Sequence, residues 1–400
     1  MLGKNDRGFS ELENRNLKTF PNEWQDFKTS IKRVFQGLIN ESGEYFFNDV
    51  YRGSFQREIE TAIKDQFPNR ESFINLSFQW QYANTALAYS IVQDELIPPN
   101  FVDNYLVTRD YRYILRGPAN WTGETKESLQ NGLKYYQDMK EAFPEINFNL
   151  LMLDHLSRSQ SHPSNEFFPN ADSGRSTAYI EDNPPSGWNT DILSFDSFQE
   201  YKNHFFRTDH HLNIHGGWKL YQKTYGLLSR SYKNISPMLE LKEIKKVEGL
   251  KMLGTSARST LIDKYPEDFE YAVVELEPYE VLVNNESTRY GARDKYLKGI
   301  FPKPKFTDHY GVFYGPAQKL IQYSFPASQD RNLLIFNDSY SRMIQNYIAS
   351  HYRNTVVIEF RVIESLEKGL AEIISEYEID DVLFVGSISS LFTNLKRLSY

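Results

Sequence analysis

Apolar residues recur along the chain in several spacings, each predicting a different element. Trp24, Phe27, Ile31, Val34 and Phe35 fall near a 3.6-residue period, and mixed-charge sequence from Phe46 to Phe73 continues it, so residues 1–75 read as a helical lead-in. Asp65-Gln66-Phe67-Pro68-Asn69-Arg70 stops that pattern, because Pro68 disfavours a continuing helix and Asn69 suits a turn. Helical spacing returns over 124–143, with Leu129, Leu133, Tyr136 and Met139 on one face. Phe148 to Leu153, apolar except for Asn149, reads as a buried strand. Residues 157–189, rich in Ser, Asn, Pro and Gly, read as a long loop. The stretch 195–228 is helix-prone but interrupted at Asp209-His210-His211 and at Gly216-Gly217, and 271–284 is strand-like but broken at Pro278.

The last seventy residues give the clearest pattern. Strand 333–336, helix 343–352, strand 356–360, helix 366–377 and strand 382–385 make β-α-β-α-β, which calls for a parallel sheet with right-handed crossovers. Open α/β sheets bind ligands beyond the carboxyl ends of their strands, so the residues after Phe336 fall where a site is expected. No internal repeat divides the chain, and residues 76–400 read as one α/β domain.

Composition narrows the partners. Lys and Arg number 45 against 53 Asp and Glu, a net charge of −8, with no basic block to bind a phosphate backbone, so nucleic acid is excluded as an expected partner and an anionic membrane surface is disfavoured. The 27 Tyr, 28 Phe and 5 Trp read first as core, with stacking platforms for sugars as a second reading. The absence of cysteine removes disulfides, thiol nucleophiles and Cys-based zinc sites. Neither a signal-type apolar stretch at the start nor a run of 18 apolar residues occurs. The expectation is therefore a cytoplasmic protein, or an extracytoplasmic one whose native anchor is not in this chain.

Two short segments carry chemistry. Asn337-Asp338-Ser339-Tyr340 sets a serine at a strand-to-helix turn, where its hydroxyl is exposed and its amide sits near a helix start suited to an oxyanion. The plain alternative is helix capping by Asp338 and Ser339. In Phe206-Arg207-Thr208-Asp209-His210-His211, Asp209 and His211 are spaced to serve as an orienting carboxylate and a base for a serine. A zinc site from Asp209, His211 and His215 ranks second, because Gly216-Gly217 argue against a long helix there and no H-E-x-x-H occurs; solvated or helix-end histidines are the third reading.

These segments resemble the bacterial DHHW proteins, relatives of the alginate O-acetylation proteins in the SGNH hydrolase-like superfamily. Phe206 to His211 resembles the family signature. His309-Tyr310-Gly311-Val312-Phe313-Tyr314-Gly315 and Asn332 to Tyr340 resemble its glycine-bearing loop and its strand ending in Asp-Ser-Tyr. Weaker matches are Asp65 to Arg70, Val357 to Arg361 and Ile379 to Leu383. The resemblance implies a flavodoxin-like α/β/α sandwich with the Asp-His pair ahead of the serine, a permuted order. It implies Ser339 as nucleophile, His211 as base and Asp209 as its carboxylate, with Gly315, Tyr310, Asn337, Tyr340 and Arg361 as oxyanion or substrate residues, no metal and no cofactor. It also implies acetyl transfer to or from a carbohydrate polymer outside the cytoplasm by a membrane-anchored protein, with a membrane-bound acyltransferase as donor partner. Leu212 stands where the family usually has Trp, Gly315-Pro316 where it has Gly-Asn, and Asn337 where relatives tend to have Gly or Lys. The first two departures favour the alternative of a glycan-binding or scaffold subunit.

Overall fold

A computed structural model describes residues 8–10, 12, 15–18, 61, 64–67, 69–91, 105–108, 112–287, 290–326, 330–365 and 368–393. Most of the lead-in, including Trp24, Phe27, Ile31, Val34 and Phe35, lies outside the described residues. The turn at 66–69 is present, with Asn69 at φ +56°, but a 22-residue helix, Arg70–Ile91, follows it and runs past residue 75.

Strands β1 (Phe9–Ser10) and β2 (Arg15–Asn16) pair antiparallel, as do β3 (Tyr105–Val107) and β4 (Ile114–Arg116). The main sheet begins with β5 (Asn147–Leu153) and β6 (Asn189–Leu193); β7 (Leu241–Met252) and β8 (Glu267–Val274) form a separate antiparallel pair. It continues with β9 (Glu280–Val283), β10 (Ile321–Ser324), β11 (Asn332–Asn337), β12 (Asn354–Glu359) and β13 (Asp381–Ser387). Its order is β6-β5-β13-β11-β12-β10-β9, parallel from β6 to β12 and antiparallel at β10 and β9.

The parallel strands thus run 2-1-5-3-4 in chain order. A flavodoxin-like sheet runs 2-1-3-4-5, and the difference arises because β13 enters between β5 and β11, bonded along its length to both. The break at Pro278 does more than interrupt one strand: it separates β8, in the outlying pair, from β9 at the sheet edge.

Alternation along the strands sorts the core into two layers. Leu334 and Phe336 of β11, Val382 and Phe384 of β13 and Phe148, Leu150 and Met152 of β5 pack with Tyr136, Met139, Ile373 and Leu391 on one face. Leu333 and Ile335, Leu383 and Val385, Leu151 and Leu153 pack with Tyr221, Leu227, Tyr347 and Tyr310 on the other. The first face is covered by the helix Gly123–Ala142, which buries Leu129, Leu133, Tyr136 and Met139 as its spacing predicts and is capped by Thr122, whose hydroxyl accepts from the Thr125 amide.

Two expectations are corrected. Residues 157–189 hold a 3₁₀ turn, Asn165–Phe167, and a helix, Arg175–Asp182, and are tied down by side chains: Asp172 accepts from the Ser176 amide at 2.8 Å and from Arg158 at 2.7 Å, and His162 Nδ1 accepts from the Ser164 amide. Trp188 is core, donating to the Tyr136 carbonyl at 2.8 Å. Gly216 and Gly217 lie inside the first turn of the helix Ile214–Ser231 and do not break it. A Cβ on Gly216 would lie 2.2 Å from the His204 carbonyl oxygen, so its bareness serves close packing.

Candidate active site

Parallel strands β11 and β13 end side by side, and their tips build one half of the site. Asp338, just past β11, accepts from the Ser387 amide (2.8 Å) and hydroxyl (2.9 Å) at the end of β13, and its other oxygen accepts from the Tyr340 amide at 3.0 Å. This N-cap fixes the start of the 3₁₀ helix Ser339–Ile344, so Ser339 stands half-buried at its first position.

The partner loop is closed by a bridge between Phe205 and Leu212, with the Phe206 amide donating to the His211 carbonyl at 3.1 Å. Leu212 is fully buried in the core beneath it. The loop tip is held from the β7–β8 side. Glu267 accepts from the Arg207 and Thr208 amides and from the Thr208 hydroxyl, and the Thr255 amide donates to Asp209 Oδ2 at 2.6 Å. Gly254 leaves room for this, since a Cβ there would lie 2.3 Å from the Asp209 Cβ.

These two constructions bring Asp209, His211 and Ser339 into one line. Asp209 Oδ1 lies 2.6 Å from His211 Nδ1 and also accepts from the His211 amide at 3.0 Å, while His211 Nε2 lies 2.8 Å from Ser339 Oγ. A carboxylate only accepts, so Nδ1 carries the ring proton and Nε2 is left to accept from the serine hydroxyl. Burial works to raise the Asp209 pKa. The neighbouring His211 and His210 and the hydrogen bonds from His211 and Thr255 prevail and hold it well below the usual carboxylate range. Burial pushes the His210 pKa far down; its Nδ1 makes no hydrogen bond, and its ring lies tilted against His211 with centroids 4.0 Å apart.

The remaining candidates serve other bonds. The Tyr310 ring stacks on His211, and its hydroxyl, kept protonated by burial, donates to the Ser339 carbonyl at 2.7 Å. Tyr340 packs its ring near His211, His210 and His155. Asn337 is wholly buried and donates to Ser341 Oγ at 2.9 Å. Gly315, at φ +99° and covered by the Tyr290 ring, offers its carbonyl to Arg342, and Arg361 pairs with Glu359.

Donor atoms of Asp209, His210 and His211 lie within 4.8 Å of one another, a spacing open to a metal ion, but Asp209 and His211 are already bonded to each other and His211 to Ser339. His215 does not join them; it is more than half exposed and lies 3.8 Å from Glu270. Thr255, Gly254 and Glu267 have no sequence signal as site residues, since they lie 46 to 60 positions from their partners. Among the described residues no helix is long and apolar enough to cross a membrane.

No family model matches the chain, and no curated protein matches it. Solved structures do. Bacillus cereus PatB1 with a sulfonyl adduct aligns over 74% of this chain and 97% of its own at 15% identity and a TM-score of 0.55. A DHHW family protein from Eubacterium siraeum DSM 15702 aligns over 76% of this chain and 99% of its own at 17% identity and a TM-score of 0.53. The chain therefore has a mixed α/β fold, a central sheet flanked by helices, like that of PatB1 and the E. siraeum DHHW protein.

Proposed function

We propose that this protein is a serine-dependent O-acetyltransferase or acetylesterase acting on an exported polysaccharide. The observation that carries the reading is the unbroken hydrogen-bonded line from Asp209 through His211 to Ser339 Oγ at the carboxyl edge of the sheet. His211 Nε2 takes the hydroxyl proton as Ser339 Oγ attacks the acetyl carbonyl, and Asp209 holds the tautomer and stabilises the imidazolium. The proton passes to the departing oxygen, leaving an acetyl-serine. His211 then deprotonates water, in an esterase, or a sugar hydroxyl, in a transferase, and the same steps run in reverse. The Ser339 amide is assigned to the tetrahedral oxyanion, because the Tyr310 hydroxyl and Arg361 are engaged elsewhere. The native protein works outside the cytoplasm, membrane-anchored, with a membrane-bound acyltransferase as acetyl donor.

The sulfonyl adduct of PatB1 suggests the test. Intact-mass spectrometry after phenylmethylsulfonyl fluoride is expected to show one adduct on the wild type, mapped to Ser339 and absent from Ser339→Ala, with p-nitrophenyl acetate turnover lost in that variant. A folded wild type with neither adduct nor turnover overturns the reading in favour of a glycan-binding subunit.

A further inference from the structure

Between Ala292 and Phe306 the chain makes a projecting turn that its own residues hold in place. The short helix Arg293–Tyr296 is closed at Gly299, where φ is +74° and the amide donates to the Tyr296 carbonyl at 2.9 Å; the Ile300 amide then returns to the Lys295 carbonyl at 2.9 Å. Three rings anchor the turn from beneath. Tyr296 is buried, with its hydroxyl 2.9 Å from His309 Nδ1, Phe301 packs on it at 5.6 Å, and Phe306 is buried among Leu253, Ala257 and Ile262. Among the described residues, no atom would lie within 4 Å of a Cβ on Gly299, so the tip stands clear of its surroundings.

What projects is both apolar and basic. Leu297 is 46% exposed and Ile300 61%, and Pro302, Pro304, Lys295, Lys298, Lys303 and Lys305 are exposed with them. Four lysines against Asp294 alone make residues 294–305 net +3 in a chain of net charge −8. Lys305 pairs with Asp263, and Lys303 lies over the Phe301 ring at 4.4 Å; among the described residues Lys295 and Lys298 have no ion pair.

The chemistry of the tip selects its partner. Its rings are turned inward or, for Phe301, covered by Lys303, so no flat face is offered to a sugar. Branched aliphatic carbon at the apex with ammonium groups around it matches the boundary of a bilayer. There Leu297 and Ile300 leave water, while the lysine stems lie along the apolar layer and keep their charges at the lipid phosphates. The negative charge of the whole chain does not oppose this, because at a surface the charges that act strongly are those within a Debye length, about 10 Å at 0.1 M salt.

We propose that residues 294–305 dock the protein on an anionic lipid bilayer, with Leu297 and Ile300 entering the headgroup layer and Lys295, Lys298 and Lys303 facing lipid phosphates. The proposal goes beyond the enzymatic reading and stands without it. Tyr296 and His309 tie the tip to the helix that carries Tyr310, so the docking face and the wall of the candidate site belong to one packed unit.

Co-sedimentation of the whole chain with vesicles tests it, using equal parts phosphatidylglycerol and phosphatidylcholine against phosphatidylcholine alone. The mixed vesicles are expected to bind the wild type at least tenfold more tightly, and raising the salt from about 0.1 to 0.5 M is expected to weaken that binding several-fold. Lys298→Glu with Lys303→Glu should weaken it at least tenfold, Lys298→Arg with Lys303→Arg should leave it unchanged, and Leu297→Ser with Ile300→Ser should weaken it at least threefold. All four positions are exposed, circular dichroism checks the fold, and the lipid and salt comparisons need no variant. Equal binding to both vesicles, binding to neither, or binding unmoved by salt or by either pair of changes overturns the docking. Loss with the glutamates but not with the serines, together with displacement by soluble polyphosphate, assigns the lysines to a polyanion and overturns it too.

Discussion

The Tyr310 ring lies flat on the His211 imidazole, with centroids 4.0 Å apart and planes 9° apart, while its hydroxyl donates to the Ser339 carbonyl at 2.7 Å. One side chain therefore fixes both the tilt of the proposed base and the backbone of the proposed nucleophile. Its helix is set by Asp308, whose carboxylate caps the Gly311 amide at 2.8 Å.

This arrangement separates two variants. Tyr310→Phe keeps the ring and loses only the bond to Ser339, and p-nitrophenyl acetate kcat/KM is expected to fall about tenfold. Tyr310→Leu removes the flat wall as well, and a fall of about 100-fold is expected, the cost of a misplaced reacting group. Equal rates in both variants and the wild type would show that Tyr310 positions nothing.

Asp209→Asn keeps the volume but presents either an amide or a carbonyl to His211 Nδ1, so the ring loses its fixed tautomer. A fall in kcat on the order of 10³–10⁴ is expected, read in the same assay with circular dichroism to check the fold. A fall under tenfold would remove Asp209 from the line.

Gly254→Ala tests the same carboxylate from outside. The new Cβ would sit 2.3 Å from the Asp209 Cβ and 2.5 Å from its Oδ2, so Asp209 must move. Activity is expected to drop at least tenfold, with stability lowered by about 1–3 kcal/mol as in other overpacked sites, measured by kinetics and urea unfolding. Wild-type activity in this variant would show that the Thr255–Asp209 contact has no part in holding the site.

Stability is expected to fall as pH drops from about 6.5 to 4. Burial pushes His162, His309 and His351 down to about 4 and His155 to about 3, whereas the unfolded chain titrates near 6.5, so in this window the unfolded state binds more protons on these four groups. Asp154, pushed up to about 6 by burial, and Glu267, raised for the same reason, act with the opposite sign, since the folded state holds their protons longer. These four histidines, joined by His210, which burial also pushes down, outweigh the two carboxyls. Melting temperatures at pH 7, 6, 5 and 4 check this, and a level or rising series contradicts it.

The chain by itself determined its local order: the β-α-β-α-β run ending at β13, the buried face of the helix Gly123–Ala142, the serine at a strand tip, and an Asp-His pair spaced to share one carboxylate. Periodicity and turn chemistry act over a few residues, so such features are written in short stretches of sequence. Tertiary structure alone decided the rest. Insertion of β13 between β5 and β11 depends on which strand edges pair, and no local pattern carries that. Gly216-Gly217 look like a helix breaker until His204 and Met343 are seen pressed against them. Residues 157–189 look like a loop until Asp172 and His162 are seen bonding its backbone. The partners that Thr255 and Glu267 supply to Asp209 and Thr208, and the commitment of the Tyr310 hydroxyl to the Ser339 carbonyl, arise between residues far apart in the chain, because hydrogen bonds form by distance in space and a linear sequence states only distance along the backbone.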